Sequence, residues 1–262
     1  MNLYLILGRV FLGLCLIGIG VLHFFFPGIR PIILPDSTHI PIGMYWIVYL
    51  IAILLVGFGV LVLIGKKLTA ISFIVGIVFF LLFLFGHLPA FLSADQTVKL
   101  KYWTNLNKML ALSGGFLILA AMNAPKNRFT KSVLLLGRCF FACMLLLFGI
   151  GHLLSTTALS TLVPGYIPFK KFWTFAGGII LVGSAISFFI NFKVKEIAFV
   201  LAITLSIWLV SLHLYYTILF PDWQEGENFI GSLTCLAFCG IALLISQSLK
   251  ASPAATARVI DK

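Results

Sequence analysis

Eight largely apolar stretches of 20 to 25 residues strongly limit what this chain can fold into. A helix of about 20 apolar residues crosses the hydrocarbon core of a bilayer. Only 10% of the 262 residues are charged, whereas soluble domains carry about 25% charged residues. We therefore predict an all-α polytopic membrane protein whose main partner is the lipid bilayer. The predicted spans are residues 4–26, 44–64, 69–92, 103–122, 132–154, 172–192, 196–220 and 228–249.

The first half of the chain recurs in the second. Five residues return 129 positions later, as Gly8/Gly137, Arg9/Arg138, Phe11/Phe140, Gly20/Gly149 and His23/His152. With small gaps, the match continues through Trp46/Trp173, His87/His213 and Asn107/Asn228. Such drift is typical of a duplicated unit. We predict a four-helix repeat at 1–122, a basic linker at 123–131, a second repeat at 132–249 and a polar tail at 250–262. Four spans per repeat is an even number, so the two bundles are expected to be parallel repeats.

Loop charges predict the orientation of the chain. Ten loop and tail Lys and Arg residues, among them Lys66, Lys67 and Lys126, fall at one end of the spans, against five at the other. The positive-inside rule then predicts a multi-pass protein of the cell membrane (the cell inner membrane where there are two) with both termini in the cytoplasm. The net charge of +11 is explained by this topology, so no nucleic acid partner is expected. An aromatic belt is expected at the outer ends of the spans, at Trp46, Trp103, Trp173 and Trp223.

Four histidines lie within spans, and the predicted topology brings all of them to the outer level. His23 and His152 end the first span of each repeat, and His87 and His213 end the third. Ionisable residues inside a membrane are costly and usually face the bundle interior. One interpretation is that each imidazole hydrogen-bonds a carbonyl of a neighbouring helix and fixes packing. The other is that each pair forms a ligand site, because the same pair recurs in both repeats.

Several ligands could suit paired histidines. A quinone head group needs only a neutral imidazole donor and an apolar slot, so of these ligands it requires the fewest protein groups. Haem can take a histidine ligand, but these positions are shallow for a buried haem. Structural zinc needs four ligands, and no metal site is predicted. The predicted ligand-binding residues are His23, His87, His152, His213, Trp46 and Trp173, with a polar rim at Asn107, Lys108 and Asn228.

Other polar residues of the spans support simpler interpretations. Arg9 and Arg138 enter the inner ends of their helices, where snorkelling to phosphates is the simpler explanation. The spans hold no Asp or Glu apart from Glu196 at a boundary, so a carboxylate proton relay is not expected. The cysteine pairs Cys139/Cys143 and Cys235/Cys239 have helical spacing and are interpreted as core residues.

These motifs resemble the DoxX-like membrane proteins. The first copy has Arg9…Gly20-Val21-Leu22-His23, Leu34-Pro35, Trp46 and His87-Leu88-Pro89, and the second has Arg138…Gly149-Ile150-Gly151-His152, Val163-Pro164, Trp173 and His213-Leu214. The segment from Asn105 to Gly115 is similar to the fourth helix of that family. The second copy departs at span eight, where Phe229 matches Lys108 and the glycine pair is lost. The resemblance implies four-helix membrane units, and some relatives are linked to quinone-coupled sulfur oxidation.

Two classes of function remain open from the sequence. The first is a redox-associated membrane protein that binds a quinone or similar lipophilic ligand through its outer histidines. The second is a non-enzymatic membrane component, either a small-solute carrier or an assembly partner of other membrane proteins. A cavity beside the histidines would favour the first, and a continuous polar path between the two faces would favour a carrier.

Overall fold

The structure, a computed structural model, describes residues 3–26, 28–35 and 42–248 of the chain. These residues form eight long helices, three short helical turns and no strand. Each long helix is apolar enough to cross a membrane, so the prediction of an all-α polytopic membrane protein is confirmed. The eight helices are α1 (Leu3–Phe25), α2 (Tyr45–Ile64), α3 (Leu68–Ser93), α4 (Gln96–Asn123), α5 (Arg128–Leu154), α6 (Lys170–Ile190), α7 (Val194–Leu219) and α8 (Glu227–Ser248). His39 and the tail at 250–262 lie outside the described residues.

Two helix starts differ from the predicted bounds. Helix α4 begins at Gln96, seven residues before the predicted start at 103. Residues 96–102 contain no Gly or Pro, so nothing in them stops the polar first turns from continuing the helix beyond the apolar stretch. Helix α5 begins at Arg128, because Asn127 and Thr130 form a reciprocal capping box there.

Helices α3 and α7 each contain a π-helical segment, at Leu82–His87 and Leu209–Leu214. Neither segment is predicted by the sequence pattern. Each contains one of the span histidines, His87 or His213. The π-helix is rare and often marks a functional position, because its extra residue redirects the side chains around it. The two segments therefore draw attention to corresponding places in the two halves.

Neighbouring helices run antiparallel, so the two ends of the bundle carry different residues. We call the end where α1, α3, α5 and α7 finish the histidine end, since it holds His23, His87, His152 and His213. The opposite end, where α1 and α5 begin, is the arginine end and holds Arg9 and Arg138. Which end faces outward stays a prediction.

Glycines allow the helices to approach closely. A Cβ added at Gly13 of α1 would lie 3.0 Å from the carbonyl oxygen of Gly59 in α2, and one added at Gly59 would lie 2.8 Å from that of Gly13. In the second half, Gly149 of α5 and Gly178 of α6 are related in the same way, at 3.0 and 3.1 Å. Small residues at such crossings are the usual means of packing helices in membranes.

The two halves also meet through glycines, at two matching interfaces. A Cβ at Gly240 of α8 would lie 2.9 Å from the Gly8 oxygen of α1, and a Cβ at Gly137 of α5 would lie 2.5 Å from the Gly114 oxygen of α4. A pseudo-twofold axis between the halves would produce this pairing. Gly114 then corresponds to Gly240, 126 positions later. At this offset Thr234, rather than Phe229, takes the place of Lys108.

Residues 28–35, which we call the plug loop, fold into the histidine end of the bundle. Ile32 and Ile33 belong to the hydrophobic core, and Arg30 is only 2% exposed. Each buried apolar side chain of this size contributes about 1.5–3 kcal/mol relative to exposure in water. The loop therefore fills space between the ends of α1 and α3 that the sequence analysis left open for a ligand.

Candidate functional site

His23 and His87 come together at the plug loop. His23, fully buried, donates from Nδ1 to the Ile19 carbonyl at 2.7 Å and accepts at Nε2 from the backbone N–H of Arg30 at 3.2 Å. His87 donates from Nε2 to the carbonyl oxygens of Ile32 and Ile33, at 3.2 and 3.3 Å. Both rings thus satisfy buried backbone groups, as buried polar groups generally must. This geometry fits the packing interpretation of the first pair, while its binding of a ligand stays a prediction.

The plug loop is also tied to the second half of the chain. Arg30 donates from Nη1 to the carbonyl oxygen of Glu225 at 2.7 Å, and its Nη2 lies 3.3 Å from the Glu225 carboxylate. Its guanidinium also lies 5.6 Å from the ring centre of Phe26. The sequence analysis counted Arg30 and Glu225 only as loop charges. The sequence offered one signal of this contact, namely an arginine in a proline-rich loop and an acidic connection at the same end.

The second pair of histidines is arranged differently. His152 donates to the Phe148 carbonyl at 2.8 Å, and its ring lies parallel to that of Trp208, with ring centres 6.5 Å apart. The loop of this half is tied to α7 by Tyr166, whose hydroxyl donates to the Ser211 carbonyl in the π-helical segment. His213 is therefore not needed to hold the loop. Its ring makes no hydrogen bond to any of the residues that the structure describes.

His213 instead belongs to a polar cluster between α4, α7 and α8. Lys108 of α4 interacts electrostatically with His213 of α7 and with Glu227 at the start of α8. Cys235, further along α8, also interacts electrostatically with Lys108. Gly231 leaves room for the imidazole, since a Cβ there would lie 3.3 Å from its Nδ1. Three helices thus bring an ammonium group, an imidazole and a carboxylate to one place.

A cavity of about 400 Å³ opens beside this cluster at the histidine end. Its volume lies in the range of small-molecule sites, about 300–1,000 Å³. We call it the Lys108 cavity; its polar lining and exposed aromatic rim come from Lys101, Thr104, Asn105, Lys108, Glu227 and Trp223. Two lysines and one glutamate make the lining net positive, which suits a ligand with electron-rich oxygens. His213 lies behind Lys108 and does not line the cavity.

The remaining predicted site residues have other partners. Asn107 donates to the Trp103 carbonyl at 2.8 Å, within its own helix. Asn228 donates to the Phe220 carbonyl at 2.8 Å and so closes the end of α7. The side chains of Trp46 and Trp173 are 62% and 52% exposed on the outside of the bundle. The structure therefore brings Lys108 and His213 together, whereas the two asparagine side chains bond backbone carbonyls and the two tryptophans are exposed.

Two cavity residues that the sequence pattern did not predict, Lys101 and Asn105, form a stripe on α4 with the predicted Lys108. Lys101, Asn105 and Lys108 are spaced by four and three residues, which puts them on one face of a helix. This spacing was a usable signal, hidden because residues 96–102 were predicted to be a loop. Within the described ranges, no group of three His, Cys, Asp or Glu side chains could hold a metal ion.

No protein-family model, curated protein or solved structure is significantly similar to this chain. The fold defines an α-helical integral membrane protein with eight apolar helices. Its DoxX-like resemblance stays a prediction.

Proposed function

We propose that this membrane protein binds a lipophilic ligand with a carbonyl-bearing head group, such as a quinone, in the Lys108 cavity. The observation that carries the proposal is the position of Lys108, a cation within a membrane-spanning helix that lines a cavity and has His213 and Glu227 beside it. Ionisable groups inside a membrane are expensive and usually mark functional positions. Glu227 and His213 provide the polar surroundings that make such a position tolerable.

The lining of the cavity suits an amphipathic ligand. The Lys108 ammonium can donate hydrogen bonds but cannot accept one, so it complements a carbonyl oxygen. Leu100 and Trp223 line the same cavity and are 69% and 53% exposed, offering an apolar approach from the membrane interface. Aromatic rings that are partly apolar and partly polar are common at this level of a membrane. A bound quinone would associate the protein with membrane redox reactions, the chain itself supplying hydrogen bonds and position.

This proposal moves the ligand from the paired histidines to Lys108. His23 and His87 use their ring nitrogens on the backbone of α1 and the plug loop. Ligand binding there would require the plug loop to leave its buried position. His213 acts in the proposed site by holding the Lys108 region polar.

The topology and family are part of the same proposal. The histidine end faces outward from the cell membrane and the arginine end faces the cytoplasm, because Lys66, Lys67 and Lys126 lie at the arginine end. The DoxX-like resemblance agrees with a quinone as ligand.

Helix α4 favours a binding site over the alternative of a small-solute carrier. All twelve residues from Met109 to Ala120 are buried. They extend about 18 Å along the helix at 1.5 Å per residue. This packed stretch separates the Lys108 cavity from the arginine end in the conformation described. An assembly partner of other membrane proteins remains the second alternative, and no particular contact surface favours it.

Purification of matched variants tests the proposal. Wild-type protein, Lys108→Met and Lys99→Met are purified in the same mild detergent, and co-purified lipophiles are measured by visible spectroscopy and mass spectrometry. Lys99 is a suitable control because it lies on α4 outside the cavity lining and contacts Phe91. We expect a quinone with wild type and Lys99→Met but not with Lys108→Met. Equal amounts in all three would contradict the proposal.

A further inference from the structure

A second cavity, of about 170 Å³, lies at the arginine end of the first half. We call it the Arg9 cavity, after the charged residue of its lining. Apart from Asn123, the other walls are apolar and come from α1, α3, α4 and α8, including Leu5, Leu68, Met122 and Leu244. No carboxylate lines it. A cation facing a small apolar cavity without a counter-charge is an unusual arrangement, because an uncompensated charge there is costly.

Arg9 makes no side-chain hydrogen bond to any residue that the structure describes. Its Nε is buried and makes no hydrogen bond. The corresponding arginine of the second half, Arg138, also has a buried Nε without a partner, but its Nη1 donates to Oδ1 of Asn191 at 2.9 Å. The two arginines therefore differ in the one bond that Asn191 provides.

Gly65 explains this difference. It ends α2 in the left-handed conformation, with φ at 75°, as Asn191 ends α6 with φ at 58°. The two residues are 126 positions apart and occupy equivalent places. A Cβ at Gly65 would lie 2.6 Å from Nη1 of Arg9, so the guanidinium fills the space of the missing side chain. The second half supplies its own acceptor for its arginine, whereas in the first half another group must accept from Arg9.

The surroundings of Arg9 favour an anion as that group. Lys66 and Lys67 follow Gly65 directly and are exposed at the same end. Arginine binds phosphate oxygens through two parallel N–H donors, which makes it well suited to this anion. The apolar walls of the cavity match acyl chains better than they match a freely hydrated ion.

We propose that the Arg9 cavity binds the phosphate group of an anionic phospholipid. Arg9 donates to the phosphate oxygens, Lys66 and Lys67 raise the local positive potential, and the leucines of the cavity contact the first carbons of the lipid. This site is separate from the Lys108 cavity, at the other end of the molecule. Free inorganic phosphate offers the same chemistry without the acyl chains, so the test must distinguish the two.

Three variants test the site by native mass spectrometry. Arg9→Gln removes the charge, Gly65→Asn supplies the acceptor that Asn191 supplies in the other half, and Arg138→Gln is the matched control. Each is purified in non-ionic detergent and mixed with phosphatidylglycerol or with phosphatidylcholine. We expect wild type and Arg138→Gln to retain phosphatidylglycerol in preference to phosphatidylcholine. In Arg9→Gln and Gly65→Asn, the preference for phosphatidylglycerol over phosphatidylcholine should fall about tenfold, which is the effect of one charge-assisted contact.

Thermal unfolding separates the remaining outcomes. Gly65→Asn should unfold near the wild-type temperature, since asparagine tolerates the left-handed conformation, so its loss of lipid would not reflect misfolding. Stabilisation of wild type by inorganic phosphate as great as that by phosphatidylglycerol would overturn the lipid assignment. Binding found only in a chain ended after Ser248 would also overturn the proposal, because an acidic group of the tail, such as Asp261, would then be the partner of Arg9. Unchanged lipid preference in Arg9→Gln and Gly65→Asn would do the same.

Discussion

His87, in the π-helical segment of α3, donates a hydrogen bond from Nε2 to the carbonyl oxygen of Ile32 at 3.2 Å. This bond joins a membrane-spanning helix to the buried plug loop. The corresponding segment of α7 also bonds a loop, but with the direction of donation reversed, since Ser211 accepts from Tyr166. His213 makes no ring hydrogen bond to a described residue and interacts electrostatically with Lys108, so the histidines of the two π-helical segments have different surroundings.

The first prediction concerns the stability of these two positions. His87→Ala should lower the free energy of unfolding by about 1–3 kcal/mol, because two buried loop carbonyls lose their donor. His213→Ala should cost less, since its ring makes no hydrogen bond to a described residue. Thermal or denaturant unfolding in a single detergent measures both. A larger loss in His213→Ala would contradict the assignment of structural and site roles.

The second prediction concerns the glycine contacts between the halves. Gly137→Ala should be destabilising by about 1–3 kcal/mol, since its Cβ would lie 2.5 Å from the Gly114 oxygen. Gly183→Ala is the control, because nothing lies within 4 Å of its added Cβ. Alanine there should be neutral or stabilising by up to about 1 kcal/mol from helix propensity. Equal unfolding temperatures for the two variants would mean that the interface is not closely packed.

The third prediction separates the two contacts between Arg30 and Glu225. Glu225→Gln should have only a small effect, about 0–1 kcal/mol, because the carboxylate is 73% exposed and the stronger bond goes to its backbone oxygen. Arg30→Ala should cost clearly more, since it removes a buried side chain and all of these bonds. Unfolding of the two variants in the same detergent tests the order. The reverse order would show that the carboxylate carries the contact.

Much of the fold follows from the sequence because an apolar run of about 20 residues has few alternatives to a membrane helix. The start of α4 was missed, since hydropathy reports where the apolar stretch begins and Gln96 lies in polar turns before it. The plug loop was missed because it bonds His23 and His87 through its own backbone groups, which have the same chemistry at every residue. His87 bonds Ile32 through a carbonyl that no sequence pattern distinguishes.

The candidate site was only partly predictable for a similar reason. Lys108 was predicted only as part of a polar rim, because its neighbours depended on how α7 and α8 pack against α4. The numbering match between Asn107 and Asn228 also misled the comparison of α4 with α8. The contacts of Gly114 and Gly240 give a different alignment, because close helix crossings require small residues at particular positions.

The fourth prediction tests the orientation of the bundle. Single cysteines are introduced at Asp222, in the α7–α8 connection, and at Lys126, in the α4–α5 connection; both positions are exposed. A membrane-impermeant maleimide should label the Asp222→Cys variant in intact cells, and the Lys126→Cys variant only after permeabilisation. This result follows from the excess of basic residues at the arginine end. The opposite labelling pattern would reverse the proposed topology and put the Lys108 cavity on the cytoplasmic side.

Photo-crosslinking shows whether a lipophilic ligand binds beside Lys108. Purified wild-type protein is irradiated with an azido-substituted quinone, with and without excess unmodified quinone, and the adducts are mapped by peptide mass spectrometry. We expect competed adducts in residues 97–108 and 223–227, which contain the cavity lining, and their loss in Lys108→Met. Adducts confined to the plug loop and the region of His23, or adducts that excess quinone does not reduce, would contradict binding beside Lys108.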